Sequence, residues 1–288
     1  MDGGMTLREQ LDAATRALSA AGVATARVDA EWLLAGLLGV GRFDVRLDPA
    51  RSVSGLLAER YGAAVGRRAR REPLQRILGW EEFRGLKIRL TDAVLVPRPE
   101  TEALVQWALA LLPPPGAGRR PLAVDLGTGS GCIACALAAE RPDLDVIAID
   151  LSPPAVAVAR QNARALGLGP RVRVVAADLL SGVRDLRADL IVSNPPYLPT
   201  GLVPELDPEV RSHEPLGALD GGADGLALIR RIAAGARDHL RASGALVLET
   251  AGGPQAAAAA ALLGAAGFAR VAVRVDLAGV DRFVAGSA

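Results

Sequence analysis

From Leu122 onward, short apolar runs rich in β-branched residues alternate with helical stretches, and few folds tolerate that rhythm. Leu122-Ala123-Val124-Asp125 reads as a strand, followed by a helix from Cys132 to Glu140 that Pro142 ends. Val146 to Asp150 is the next strand, and Ser152 is placed to cap a helix with Pro153 in its first turn and Gly167 past its end. Val172 to Ala177 and Asp189-Leu190-Ile191-Val192 are further strands; a helix from Leu226 to Leu240, a strand Ala245 to Glu249 and a helix Gln255 to Ala266 follow. Alternation of this kind predicts an α/β fold with a parallel, doubly wound sheet. The tail departs from it. Val271 to Val275 and Arg282 to Ala285 are separated by a turn and no helix, which predicts an antiparallel pair at the sheet's edge.

Upstream the period changes. Leu7, Leu11, Ala14 and Leu18 share a helical face; Trp32-Leu33-Leu34 with Leu37-Leu38, and a stretch from near Ser52 to Val65, extend the helical pattern. Residues 1–73 are therefore expected to form a small helical domain, 74–98 a hairpin linker and 99–288 the sheet domain. In the linker Gln75-Arg76-Ile77-Leu78 and the alternating Leu86 to Leu90 are read as strands. Val96-Pro97-Arg98-Pro99-Glu100-Thr101-Glu102 is read as a rigid turn into a helix from Leu104 to Leu111. The basic run Arg67, Arg68, Arg70, Arg71 is read as a solvated helix end, or as a patch that docks an acidic surface.

In open parallel sheets ligands bind outside the carboxyl ends of the strands, so the strand tips carry the chemistry. The first strand runs into Gly127-Thr128-Gly129-Ser130-Gly131, where glycine lets the backbone turn sharply and approach a ligand. Asp150 closes the second strand roughly 20 residues on, where a carboxylate is placed to accept both ribose hydroxyls. Asp178 closes the third, suited to an adenine amino group, with Leu179 against the ring. The fourth stops at Asn194-Pro195-Pro196-Tyr197, because two prolines supply no ladder N–H and fix φ. That corner offers amide and carbonyl acceptors beside a flat ring, a combination suited to a planar NH2 group. Each residue taken alone also fits an ordinary cap or turn.

The rest of the composition excludes more than it suggests. A chain of 288 residues with formal net charge +1 has no general affinity for polyanions, so no stable nucleic-acid partner is expected. Cys132 and Cys135 are spaced as C-x-x-C. Without a second pair, and with only His213 and His239 as histidines, they read as small buried apolar residues rather than a metal or redox site. His213 beside Glu214 reads as a turn residue. No apolar run reaches the ~18–20 residues that span a bilayer, so no membrane association is expected and the reading is of a cytoplasmic protein.

Taken together, several segments resemble the PrmC/HemK family of release-factor glutamine methyltransferases. They are Glu72 to Gly79, Glu82-Phe83, Val96 to Glu102, Asp125 to Gly131, Asn194 to Tyr197, and Glu214-Pro215 with Ala218-Leu219, Gly221-Gly222 and Asp224-Gly225-Leu226. The resemblance implies a class I, Rossmann-like methyltransferase domain with S-adenosyl-L-methionine as cofactor, bound by Gly127, Thr128, Gly129, Ser130, Gly131, Asp150, Asp178, Leu179 and Asn194. It implies N5-methylation of the glutamine in the Gly-Gly-Gln loop of class I bacterial-type peptide chain release factors. Asn194, Pro195 and Tyr197 would be catalytic, and Asn194 to Tyr197, Pro196 included, would hold the substrate amide. The helical domain would grip another part of the factor, and no metal is implied. The Asn-Pro-Pro-Tyr corner is shared with adenine-N6 nucleic-acid methyltransferases and with ribosomal-protein glutamine methyltransferases, which stay as alternatives; a Rossmann oxidoreductase lacks support at Cys132, where a glycine would stand. One departure is Leu248-Glu249-Thr250-Ala251-Gly252, where Ile-Gly is expected after the acid.

Overall fold

A computed structural model of the protein describes residues 5–116, 118–183 and 185–288. The chain divides into two compact units, one formed by residues up to Trp80 together with Asp207–His213, the other by Glu81–Leu206 and Glu214–Ala288.

The helical unit contains α1 (Leu7–Ala20), α2 (Ala26–Leu38), α3 (Gly55–Ala69) and α4 (Leu74–Leu78). Thr6 starts α1 through a capping box: its hydroxyl accepts from the Glu9 N–H at 3.3 Å, and its own N–H donates to the Glu9 carboxylate at 2.8 Å. Leu7, Leu11, Ala14 and Leu18 are buried as their spacing predicts, against Leu33, Leu34 and Tyr61. Each fully buried leucine contributes roughly 1.5–3 kcal/mol. The Tyr61 hydroxyl donates to the Ala30 carbonyl at 2.9 Å, so the ring is buried without an orphaned polar end.

Two expectations change here. Gln75 to Leu78 is helix rather than strand, because Pro73 fixes the start of α4 and Gly79, at φ 77°, ends it in the left-handed region. Within the basic run Arg68 alone is turned inward, while Arg70 is exposed and Arg67 and Arg71 are partly exposed but ion-paired. Arg68 is buried, with Nε 2.7 Å from Asp29 and Nη1 3.1 Å from Glu209, while Arg71 holds both oxygens of Glu209 at 2.6 and 2.8 Å and Arg67 pairs with Glu72. These arginines neutralise carboxylates of their own unit.

After the hairpin β1 (Trp80–Phe83) and β2 (Leu86–Arg89), α5 (Pro99–Leu111) begins earlier than expected because Pro99 is preorganised for the first helical turn. Then follow β3 (Leu122–Leu126), α6 (Cys132–Glu140), β4 (Asp145–Asp150), α7 (Pro153–Ala165), β5 (Val172–Ala176) and β6 (Ala188–Ser193). The short α8 (Pro208–Arg211) lies in the segment that belongs to the helical unit. The chain closes with α9 (Ala227–Ala236), β7 (Leu240–Glu249), α10 (Pro254–Ala265), β8 (Ala269–Val275) and β9 (Asp281–Ser287). The strand order is β5-β4-β3-β6-β7-β9-β8. From β5 to β7 all neighbours are parallel, whereas β9 runs antiparallel to β7 and to β8, as the tail predicts. One face packs on α5, α6 and α7, with Cys132 and Cys135 inside it, and the other on α9 and α10. Burial pushes both thiols up to about 12, which leaves them poor nucleophiles.

Candidate active site

The order of strands reverses direction at β3, and the tips on either side of that switch hold the site. Pairing places Leu126 opposite both Ile149 and Ser193, so Gly127, Asp150 and Asn194 follow at one level. The Ser193 hydroxyl ties the corner to the loop by donating to the Leu126 carbonyl at 2.7 Å.

Gly127, Gly129 and Gly131 have φ values of 67°, 54° and 80°, a region that costs other residues roughly 1–2 kcal/mol each. A Cβ on Gly127 would meet nothing within 4 Å, whereas one on Gly131 would come within 3.1 Å of Ala159 on α7. Gly127 thus leaves open space, and Gly131 lets helix and loop approach. The Asp150 carboxylate folds over the loop, accepting the Gly129 N–H at 2.8 Å and the Ser152 N–H at 2.9 Å, with lone pairs to spare. Beneath lies Asp125, fully buried. Its Oδ2 accepts from the Thr128 hydroxyl at 2.6 Å and the Ala134 N–H at 3.2 Å, while Oδ1 has no partner; burial pushes this carboxyl up to about 7 against those two hydrogen bonds. Asn162 stitches loop to hairpin, donating to the carbonyls of Ser130 and Arg89 at 2.8 and 3.0 Å and accepting the Arg89 N–H at 2.9 Å.

Asp178 stands one strand further out, beyond β5. It is exposed and ion-paired with Arg231 at 2.8 Å, and Leu179 behind it is half-buried in the α9 side of the core at φ 50°. The loop, Asp150 and Asn194 are thus brought together directly, whereas Asp178 already carries a surface partner.

Segments far apart in sequence build the Asn194 corner. Asn194 Nδ2 donates to the Thr101 hydroxyl at 3.1 Å, in the first turn of α5. Glu214, buried, accepts the Val96 N–H at 3.4 Å and stands 3.5 Å from Arg98, so the segment before α5 is held by the block after α8. Leu198 pairs with Leu219 and Gly221 through backbone bonds of 3.0 and 2.8 Å, and Gln255 of α10 donates to the Tyr197 carbonyl at 2.8 Å. The Tyr197 hydroxyl lies 3.5 Å from Glu249 Oε1 at the end of β7, and burial followed by that negative charge raises the phenol's pKa. Glu249 is 1 % exposed, with Oε2 unpartnered, and burial pushes it up to about 7 against the charge of Arg282 and the Tyr197 hydroxyl. At the departure from the expected Ile-Gly, Thr250 is buried and its hydroxyl donates to the Arg282 carbonyl at 2.9 Å, which ties the end of β7 to β9. Thr101, Asn162, Glu249 and Gln255 carried no local signal as site residues. Thr101 sits in a quoted motif, but nothing in the sequence pairs it with a residue 93 positions away.

Comparison with known proteins decides the family. Residues 9–79 match the model of the PrmC N-terminal domain, and 109–202 that of the methyltransferase small domain. The release factor glutamine methyltransferase of Geobacter sulfurreducens is 42% identical over 98% of this chain and 96% of its own, and that of Cereibacter sphaeroides 45% identical over 97% and 98%. The chain belongs to the release factor glutamine methyltransferase family. Among solved structures, the hMettl16 catalytic domain in complex with a MAT2A 3'UTR hairpin aligns with a TM-score of 0.60 at 20% identity over 78% of this chain and 81% of that one. A methyltransferase from Pyrococcus furiosus aligns with a TM-score of 0.53 at 19% identity, over 70% and 89%. Both likenesses concern the fold, a class I methyltransferase sheet with helices on both faces. The first match falls on the helical stretch and the second within the stretch of alternating strands and helices. No helix among the described residues is long and apolar enough to cross a membrane.

Proposed function

We propose that this chain methylates the side-chain nitrogen of the glutamine in the Gly-Gly-Gln loop of a class I bacterial-type peptide chain release factor, using S-adenosylmethionine and giving N5-methylglutamine and S-adenosylhomocysteine. The observation that carries the reading is the level placement of Asn194 beside the Gly127 to Gly131 loop, with Asn194 Nδ2 committed to Thr101. The amide oxygen is then the end that faces the acceptor.

The residues fit the cofactor. Open space at Gly127 admits a ligand against the backbone, and the spare lone pairs of Asp150 suit two ribose hydroxyls. Asp178 would accept from the adenine amino group beside Leu179, and its surface pair with Arg231, worth about 0–1 kcal/mol, is a small obstacle. Bound there, the cofactor supplies an electrophilic methyl group on a sulfonium. The chain's own residues do the rest. Amide nitrogen is a weak nucleophile because its lone pair is delocalised into the carbonyl. Asn194 Oδ1 and the Pro195 carbonyl accept its two hydrogens and so favour the positive charge that grows on it in the transition state. Pro196 stiffens the corner, Tyr197 covers the amide face, and alignment lowers the barrier through orientation rather than through a strong base.

The helical unit would hold a second part of the release factor. Phe43 and Leu47, 64% and 79% exposed on that unit, are candidates for the contact. Changing both to serine should raise KM for the intact factor and leave a short glutamine peptide unaffected; equal effects on both would sink that role.

Transfer of labelled methyl to a release factor, to the same factor with its loop glutamine changed to alanine, and to duplex DNA tests the central claim. Label confined to the intact factor and lost with Asn194→Ala is expected. Label on DNA would overturn the glutamine assignment in favour of adenine-N6 chemistry.

A further inference from the structure

The side chains of the acceptor corner belong to a rank that runs on past it. Ser193 pairs with Leu248, which puts Asn194 and Glu249 at one level at the carboxyl end of the sheet; Glu249 pairs with Phe283, and Phe283 with Arg274. Alternation along the strands turns all of them to one face. Val192, Val247 and Phe283 lie in the core on the α5 side, Asn194 reaches Thr101 of α5, and Arg274 stacks its guanidinium on Trp107 of the same helix, 4.6 Å from the ring centroid. Beyond Glu249 the rank opens. Between α5 and the β8–β9 turn lies a cavity of about 520 Å³, with Trp107 and Phe283 in its floor and Val275 and the fully exposed Leu277 at its rim.

Nothing in the methyl transfer described above uses this cavity, and its walls select among occupants. Arg84 and Arg274 stand in it opposite Glu100 and Glu102, so an ion of either sign would meet its like. Other polar groups are engaged: Arg84 donates to Gln106 and to the Glu102 carbonyl, both at 3.0 Å, and Asp276 closes its own turn on Ala278, Val280 and Arg282. What remains is apolar surface, open to water at the rim, whose burial is favourable. Neighbouring strands lie about 4.8 Å apart, so Phe283 and Arg274 stand roughly 10 and 14 Å from Asn194 along the rank, which an extended peptide covers in about three to four residues. We propose that this cavity is a subsite for a bulky apolar side chain, aromatic or branched aliphatic, carried by the release factor three or four residues from its acceptor glutamine. The proposal rests on the function given above and makes the acceptor corner and the cavity two ends of one peptide track.

The test uses the full-length enzyme, labelled S-adenosylmethionine and glutamine peptides with phenylalanine, serine, lysine or glutamate placed in turn three and four residues to either side of the glutamine. Each peptide is measured as a substrate and as a competitive inhibitor of methylation of an intact release factor. Phenylalanine at one of these positions should lower KM or Ki by roughly 10-fold relative to serine, with kcat within about twofold, and lysine and glutamate should resemble serine. Ala103→Trp, which adds bulk to the α5 wall, and Leu277→Ser, which strips the rim, should each raise the value for the phenylalanine peptide toward that of the serine peptide. Leu277 is fully exposed, so its variant carries the test if Ala103→Trp fails to fold. Equal values for all four residues at every position, a preference for lysine or glutamate, or a rise in the variants shared equally by the phenylalanine and serine peptides would overturn the subsite and leave glutamine methylation standing. A parent enzyme that labels neither the peptides nor the intact factor would overturn both.

Discussion

Replacing Gly225 with alanine should damage the acceptor corner from behind. Gly225 has φ 75°, and a Cβ there would lie 2.2 Å from the Tyr197 carbonyl oxygen and 2.5 Å from Gln255 Nε2. The left-handed conformation costs alanine about 1–2 kcal/mol. Overpacking against fixed backbone adds roughly 1–3 kcal/mol, and losing the 2.8 Å bond from Gln255 to the Tyr197 carbonyl adds about 1 kcal/mol. A loss of about 3–6 kcal/mol would be a large part of the roughly 5–15 kcal/mol typical of a native protein. Relief of the clash must also move the Tyr197 backbone by on the order of 1 Å, which should reduce kcat by about 100-fold. Urea unfolding followed by two probes and methyl transfer to a glutamine peptide measure the two effects. Gly217→Ala is the control: it lies in the same block, no atom stands within 4 Å of its Cβ position, and its φ is not positive. A Gly225→Ala enzyme as stable and as fast as the Gly217→Ala enzyme would refute the packing argument.

Three further outcomes follow from the geometry. Asp125 has a folded pKa raised from 3.8 to about 7, so the native state binds its proton more tightly than the unfolded chain. Stability from this group is fully present below the unfolded value and is lost as pH rises through 7. The Tm of Asp125→Asn relative to the parent should therefore rise between pH 5 and pH 8, and a constant difference in calorimetry would contradict it. Asn162→Ala leaves the Arg89 N–H and the Ser130 carbonyl without their side-chain partner and should cost about 2–4 kcal/mol in urea unfolding while weakening cofactor binding; an unchanged midpoint would count against it. Glu249 likewise has a folded pKa raised from 4.5 to about 7, chiefly by burial, so its stability contribution is lost as pH rises through 7 and the Tm of Glu249→Gln relative to the parent should rise between pH 5 and pH 8. A difference that stays constant across that range would count against it.

The sheet was legible because its strands are buried on both faces and therefore read as continuous apolar runs between helices of different period. The tips were legible for a related reason: glycine, proline and aspartate at strand ends carry local backbone chemistry. Gln75 to Leu78 misled because four residues cannot separate the two periods, and the deciding features, Pro73 and Gly79, flank the run. Arg68 misled because its carboxylate partners Asp29 and Glu209 lie on other segments. Glu249 and Gln255 meet Tyr197 across 52 and 58 residues, and nothing short of the fold brings them there.

The assignment of Asp207–His213 to the helical unit has a practical consequence for anyone who would cut this protein in two. A truncation at Trp80 looks like a clean domain boundary along the sequence, yet it would strip Glu209 of Arg68 and Arg71 and leave seven residues stranded in mid-chain. Exchange of helical units between relatives would have to transplant both pieces together. A protease nick between Leu206 and Asp207 should correspondingly leave the fragments held together, separating only under denaturant.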